Sequence, residues 1–231
     1  MNSNDFIFTS YCFGNKAAEG DYLPQQIRLK DSIYKIYPDA NIHFSHETEE
    51  IGKPKFQKSL YGYKVGLVRD CLALGFKKII YFDTAICLEQ KVDYWMELVK
   101  EHGVLAAVDR QTLDGCTSDK ALRYVGLSRE AAKHFNLCGG SIYVFDFNVV
   151  SCQLIFDEWQ KMEGAGLLGT QAQIGSDQNH RMDESCMALA MARHNVKPLG
   201  HDVMRYAYIK PDTPNHLHGP ENAIVIKRHF K

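Results

Sequence analysis

Hydrophobic positions recur along this chain at two spacings, and the switches between them mark out its elements. Residues 5–11, DFIFTSY, are a short apolar run ending in hydroxyls and predict a first strand. A helix is expected near 22–36 with Ile27, Ile33 and Ile36 inward, and the alternation in NIHFSHE, 41–47, predicts a second strand. Phe56, Leu60, Tyr63, Leu67, Cys71 and Leu74 recur at steps of three and four, the clearest helical stripe of the chain. Pro54 stands at its start and Gly75 at its end, and Lys58, Lys64 and Arg69 fall off the stripe.

Further on, IIYF (79–82), GVLAAVD (103–109) and GGSIYVFD (139–146) read as buried strands. Helices are expected at 91–101, with Val92, Trp95, Met96 and Val99 inward, and at 129–136 and 183–194. Another runs over 147–163, with Cys152, Ile155, Phe156, Trp159 and Met162 on one face. Residues 110–128 read as a polar loop with a short helix, and the glycine-rich 164–180 as a mobile loop. The tail is strand-like and contains NHLHGPENAIVIKRH, 215–229. Strands and helices alternate through the first half, which argues an α/β sheet with parallel pairs.

Composition narrows the class without naming a function. The 231 residues are 45% apolar and 24% charged, enough for a sizeable core. A net charge of -1 gives no global case for nucleic acid or an anionic membrane. Seven cysteines are scattered with no C-x-x-C pair, so they read as free thiols of a reducing compartment, and a cytoplasmic location is expected. MNSNDFIFTS has no charged n-region, and no apolar run nears the ~18 residues of a membrane span, so a soluble protein without a transmembrane segment is expected.

The chemistry concentrates at strand ends, where open α/β sheets bind ligands. Thr9-Ser10-Tyr11, Asp83-Thr84, Asp109-Arg110 and Asp146 close four of the expected strands. Asp83 interrupts the apolar stretch IIYFDTAICL, 79–88, where an unpaired carboxylate is costly. Read alone it has two explanations: a turn cap or partner of a lysine such as Lys64, or a ligand of a substrate. Asp183 and Glu184 open a helix, where acids serve as caps or dipole partners worth about 0.3–1 kcal/mol, or act on a ligand as hydrogen-bond acceptor or base. Gly139-Gly140 gives a tight strand entry or lets backbone approach a ligand closely. Lys227 and Arg228 are a solvated tail or a phosphate contact.

In order along the chain, these pieces resemble GT-A-fold glycosyltransferases, the glycogenin-like family in particular. YFDTA is similar to the family's strand-end Asp-x-Asp, in the degenerate form Asp-Thr-Ala. FNLCGGSIYVFD, RMDESCMALA and HLHG resemble the acceptor-flanking strand, the donor-sugar helix start and the metal-binding His-x-x-Gly. The implied fold is GT-A-like: a Rossmann-type mixed, mainly parallel sheet flanked by helices, with a smaller acceptor-side region. One domain over 1–231 is expected, with a nucleotide-binding half at about 1–110 and an acceptor and sugar half at about 111–231.

The resemblance also implies roles. Ser10, Tyr11, Lys64, Asp83, Thr84 and Lys227 fall on the donor side. Asp109, Cys138, Gly139, Gly140 and Asp183 fall in the sugar and acceptor pocket, and Asp83 with His216 in a metal site. Asp83, Asp183 and Glu184 are the implied catalytic residues. The implied reaction moves a sugar from a UDP- or GDP-sugar to a hydroxyl of a glycan or protein-linked sugar, without nucleic acid. Negative charge on the departing diphosphate calls for Mn²⁺ or Mg²⁺, which need only one or two protein carboxylates when phosphates and water supply the rest. Two departures stand out: Ala85 replaces the second acid, and the lysine expected soon after Gly219 is Lys227. They predict metal binding that is weak without donor, and they keep open an alternative, a non-catalytic relative that binds nucleotide or glycan. A dinucleotide-binding enzyme has no support, because SYCFGNKAAEG lacks G-x-G-x-x-G.

Overall fold

The computed structural model describes residues 5–14, 22–48, 61–169, 179–209 and 224–228. In chain order its elements are β1 (Ile7–Gly14), α1 (Leu23–Ile36), β2 (Asn41–Thr48), α2 (Tyr63–Ala73), β3 (Lys78–Phe82), β4 (Ile86–Leu88), α3 (Asp93–His102) and β5 (Val104–Thr112). There follow α4 (Leu113–Cys116), α5 (Asp119–Val125), α6 (Arg129–Ala132), β6 (Asn136–Asp146), α7 (Val150–Gly164), α8 (Met182–Arg193), β7 (Tyr206–Ile209) and β8 (Val225–Arg228).

Five strands form the central sheet in the order β2-β1-β3-β6-β5. β1 pairs in parallel with β2 and β3, while β6 runs antiparallel to both β3 and β5. Four of the five strands therefore share one direction, and β6 alone opposes them. This is the mixed, mainly parallel sheet that the sequence predicts.

Period-two alternation divides the core in two. Ile7, Ile79, Tyr81, Tyr143 and Phe145 pack on the face covered by α2, α7 and α8. Phe8, Ile80, Phe82, Ile142 and Val144 pack on the opposite face, against α1 and α3. A second, three-stranded sheet, β4-β8-β7, shares that latter core through Ile86, Leu88 and Val225.

Where the structure departs from the periodicity, side-chain packing explains it. On α1 the inward residues are Gln26, Leu29 and Ile33, and Ile27 is 51% exposed. Gln26 is tolerated inside because its Nε2 donates to Ser45 O at 3.0 Å. Leu74, at the end of the predicted stripe, is 59% exposed, whereas Lys64, off the stripe, is 3% exposed. Residues 54–60 of that predicted helix and 170–178 of the glycine-rich loop lie outside the described residues. β5 continues to Thr112, and β6 begins at Asn136, at the point where a helix over 129–136 was expected to end. No helix of the described residues is long and apolar enough to cross a membrane. All seven cysteines are buried and unbridged.

Candidate active site

Asp83 stands one residue beyond β3, and its N–H donates to Ser141 O at 2.9 Å, which continues the β3–β6 ladder. Tyr81 lies two positions earlier on the same strand face, and its O–H donates to Asp83 Oδ1 at 2.6 Å. Lys64 Nζ lies 3.9 Å from the same oxygen. Oδ2 has no partner among the described residues, and the side chain is 32% exposed. The acid in the apolar run is thus half satisfied from inside and half open.

Lys64 comes from the first turn of α2. Its ammonium donates to Asp183 Oδ2 at 2.5 Å and to Gly140 O at 2.8 Å. The rings of Tyr81, Tyr143 and Tyr61 lie 5.0, 5.5 and 5.8 Å from the ammonium. Burial works against the charge, but Asp183 and Asp83 outweigh it and hold the Lys64 pKa above the ordinary lysine range. Lys64 therefore remains an ammonium, and both hydrogen bonds it makes among the described residues go to protein acceptors.

Asp183 and Glu184 enter from the first turn of α8. Tyr143 O–H adds a longer contact to Asp183 Oδ2, 3.4 Å. Glu184 Oε1 accepts the Gly140 N–H at 3.1 Å, and Oε2 accepts Arg181 Nε at 3.0 Å. Burial pushes the Glu184 carboxyl up, with the charge of Asp183 acting the same way and Arg181 opposing both. Three carboxylates (Asp83, Asp183, Glu184) meet two cations (Lys64, Arg181), so this cluster carries one surplus negative charge.

Gly140 is what lets β6 run this close to α8. A Cβ there would lie 2.8 Å from Asp183 Oδ2, 3.0 Å from Glu184 Cγ and 3.1 Å from Lys64 Nζ. At Gly139 the nearest atom to such a Cβ is Ala107 O at 3.8 Å, so only the second glycine of the pair is demanded by space. Cys138 is fully buried and gives its S–H to Glu184 O at 3.3 Å, beneath the cluster.

The remaining expected residues fall at varied distances from this centre. Tyr11 stacks on Tyr63, ring centroids 4.4 Å apart, and so joins the tyrosine layer around Lys64. Ser10 shares its strand but points to the other face, fully buried, with an Oγ that has no partner among the described residues. Thr84 and Ala85 make the buried turn into β4. Lys227 pairs through its backbone with Ile86, which brings β8 beside the residues that follow Asp83. His216 lies outside the described residues. Asp109, Gly139, Ser141, Arg181 and Glu184 line a cleft of about 350 Å³.

Sequence reasoning did not single out Tyr81, Tyr143 or Arg181. The signals were present: Tyr81 is at i−2 from Asp83 on a strand, Tyr143 faces Tyr81 in register, and Arg181 is at i−3 from Glu184. Among the described residues no group of three His, Cys, Asp or Glu side chains could hold a metal ion. The open Oδ2 of Asp83 nevertheless fits one oxygen ligand of a hard cation whose other ligands are phosphate and water.

No protein-family model matches the chain, and no curated protein matches it in sequence. Solved structures do. The chain is similar to galactosyltransferase LgtC, solved with donor and acceptor sugar analogues, at 11% identity and TM-score 0.50 over 96% of this chain and 86% of that one. It is similar to mouse xyloside xylosyltransferase 1 at 7% identity and TM-score 0.56, covering 97% of each chain. It also matches the WbbM bifunctional glycosyltransferase at 10% identity and TM-score 0.57, over 98% of this chain and 46% of that one. The chain has the GT-A glycosyltransferase fold, and at these identities the likeness is one of fold.

Proposed function

We propose that this protein is a glycosyltransferase that moves a sugar from a UDP- or GDP-linked donor to a hydroxyl of a glycan or protein-linked sugar. The observation that carries the reading is Asp83. Its open carboxylate oxygen sits at the carboxyl end of β3, linked through Lys64 to Asp183 and Glu184 at the start of α8. In a sheet of this kind that edge is where substrates bind.

Breaking the bond from the anomeric carbon to a diphosphate leaves negative charge on the departing oxygen and an oxocarbenium-like sugar. The cluster of three carboxylates and two cations has surplus negative charge, so it repels a diphosphate unless a further cation is added. Mn²⁺ or Mg²⁺ supplies that charge as a Lewis acid when bound, with Asp83 Oδ2 and, by the family resemblance, His216 to hold it. Ala85 offers no second carboxylate, so ion and donor bind together rather than the ion alone. Lys64 stands between Asp83 and Asp183, 3.9 Å from the one and 2.5 Å from the other. In this reading Glu184, which lines the cleft, accepts hydrogen bonds from sugar hydroxyls with Asp183 buried behind it. Of the residues that the resemblance puts on the nucleotide side, Ser10 and Tyr11 lie within β1 rather than at its end, where the sequence predicts that the strand closes, and Thr84 lies in the turn after Asp83.

Ala85 favours a second reading, a non-catalytic relative that binds nucleotide or glycan. Incubation with a panel of UDP- and GDP-sugars plus Mn²⁺ separates the two. Release of nucleoside diphosphate is expected. Nucleotide binding without release from any donor supports the second reading instead.

A further inference from the structure

The cleft beside the cluster has a wall built from a segment that carries no motif. Residues 199–206 are pinned to the edge of β5: the Val108 N–H donates to Leu199 O at 2.7 Å, and the Leu199 N–H to Ala106 O at 2.8 Å. Inside the segment, the Met204 N–H donates to Gly200 O and the Tyr206 N–H to His201 O, both at 2.9 Å. Trp95 Nε1 donates to Met204 O at 2.9 Å, and the Arg205 guanidinium lies over Tyr94 at 4.4 Å. His201 and Tyr206 are thereby fixed edge to face, ring centroids 4.9 Å apart, and both line the cleft with Asp109, Arg181 and Glu184.

The one arginine of this cleft among the described residues is engaged before any ligand enters. Among the described residues Arg181 is the one lysine or arginine that lines it, and Glu184 engages it at 2.9 Å. Asp109 Oδ1 accepts the Gln111 N–H at 3.0 Å, and its charge also acts on Arg181. Apart from His201, two carboxylates face one guanidinium. Among the described residues an anionic ligand would meet surplus negative charge and no unengaged lysine or arginine. Hydroxyl groups, by contrast, can donate to Asp109 and Glu184, and the apolar face of a sugar ring can pack on Tyr206. A fixed aromatic wall with a few convergent polar groups is the usual build of a small-molecule site.

We propose that the cleft takes an uncharged saccharide acceptor, held between Asp109, Arg181 and Glu184 on one side and Tyr206 with His201 on the other, and excludes sugars bearing phosphate or carboxylate. This rests on the glycosyltransferase reading and adds to it the charge class of the acceptor. Tyr206 is the specificity-determining residue of the wall.

Saturation-transfer NMR on the full chain tests it with two pools of probes. One holds methyl glycosides of the common neutral hexoses and pentoses; the other holds glucose 6-phosphate, glucuronic acid and galacturonic acid. At least one neutral glycoside binds, Tyr206→Ala weakens it about tenfold, and Tyr206→Phe keeps it within about twofold. If Tyr206→Ala does not fold, Asp109→Asn gives the same test, with binding about fivefold weaker. Three results overturn the proposal: no neutral glycoside binds, an anionic probe binds as tightly as the neutral ones or tighter, or neither variant changes binding. UDP and GDP are titrated separately. A failure there counts against the transferase reading and leaves the saccharide result intact.

Discussion

The Lys64 ammonium and the Asp183 carboxylate meet at 2.5 Å inside the protein, each side chain 4% exposed, from positions 119 residues apart in the chain. A pair this deep costs much in lost hydration, and the further acceptor Gly140 O and the tyrosine faces offset part of that cost. Its effect is to fix α2, β6 and α8 around Asp83.

Removing one partner should be far worse than removing both. Lys64→Met leaves Asp183 buried beside Asp83 and Glu184 without its counter-charge, and a loss of about 3–5 kcal/mol in urea unfolding is expected. Lys64→Met combined with Asp183→Asn should recover much of that loss. Equal damage in the single and double variants would show that the pair is not the source.

The two neighbouring glycines should behave differently. Gly140→Ala forces a methyl against Asp183, Glu184 and Lys64 and is expected to cost about 1–3 kcal/mol, with the Lys64–Asp183 pair displaced. Gly139→Ala meets only Ala107 O at 3.8 Å and should fold almost as the parent does. Thermal melts of the two variants side by side check this.

Stability should fall as the solution turns alkaline. Burial raises the Cys138 and Cys186 thiols well above their ordinary 9.0, and the Tyr81 and Tyr143 phenols well above 10.0. Above about pH 9 the unfolded chain loses these protons while the native state keeps them, so the native state binds more protons and stability drops with rising pH. Lys64, raised from 10.5, acts in the same direction once pH passes that value. Urea midpoints at pH 7.5, 9.5 and 10.5 should decline in order, and a flat series contradicts the burial of these groups.

Ala85→Asp should tighten Mn²⁺ binding in the presence of UDP, because it restores the second acid two positions after Asp83. Calorimetry with and without UDP reads this directly. Unchanged affinity would mean that the ion is not held at this turn.

The parts legible in the sequence are those whose signal is local. The inward face of α3, with Trp95, Met96 and Val99, follows from a clean helical period, as does that of α7. Asp83 stood out because an acid inside an apolar strand demands a reason. Lys64 was harder to read: by periodicity it belongs outside, and the partner that draws it inward lies in another element 119 residues away. Ile27 and Gln26 exchanged places for a similar reason, since a side-chain hydrogen bond to Ser45 on β2 settles which face is buried. The wall at His201 and Tyr206 has no periodic signal, being built from turns tied by backbone hydrogen bonds.

The most direct test of the central claim compares the parent chain with Asp83→Ala, both given UDP- and GDP-sugars with Mn²⁺ and assayed for nucleoside diphosphate release. Release by the parent with at least one donor is expected, with near-complete loss in Asp83→Ala while circular dichroism and melting temperature stay close to the parent. No release from any donor by the parent, or an unchanged rate in Asp83→Ala, would contradict it.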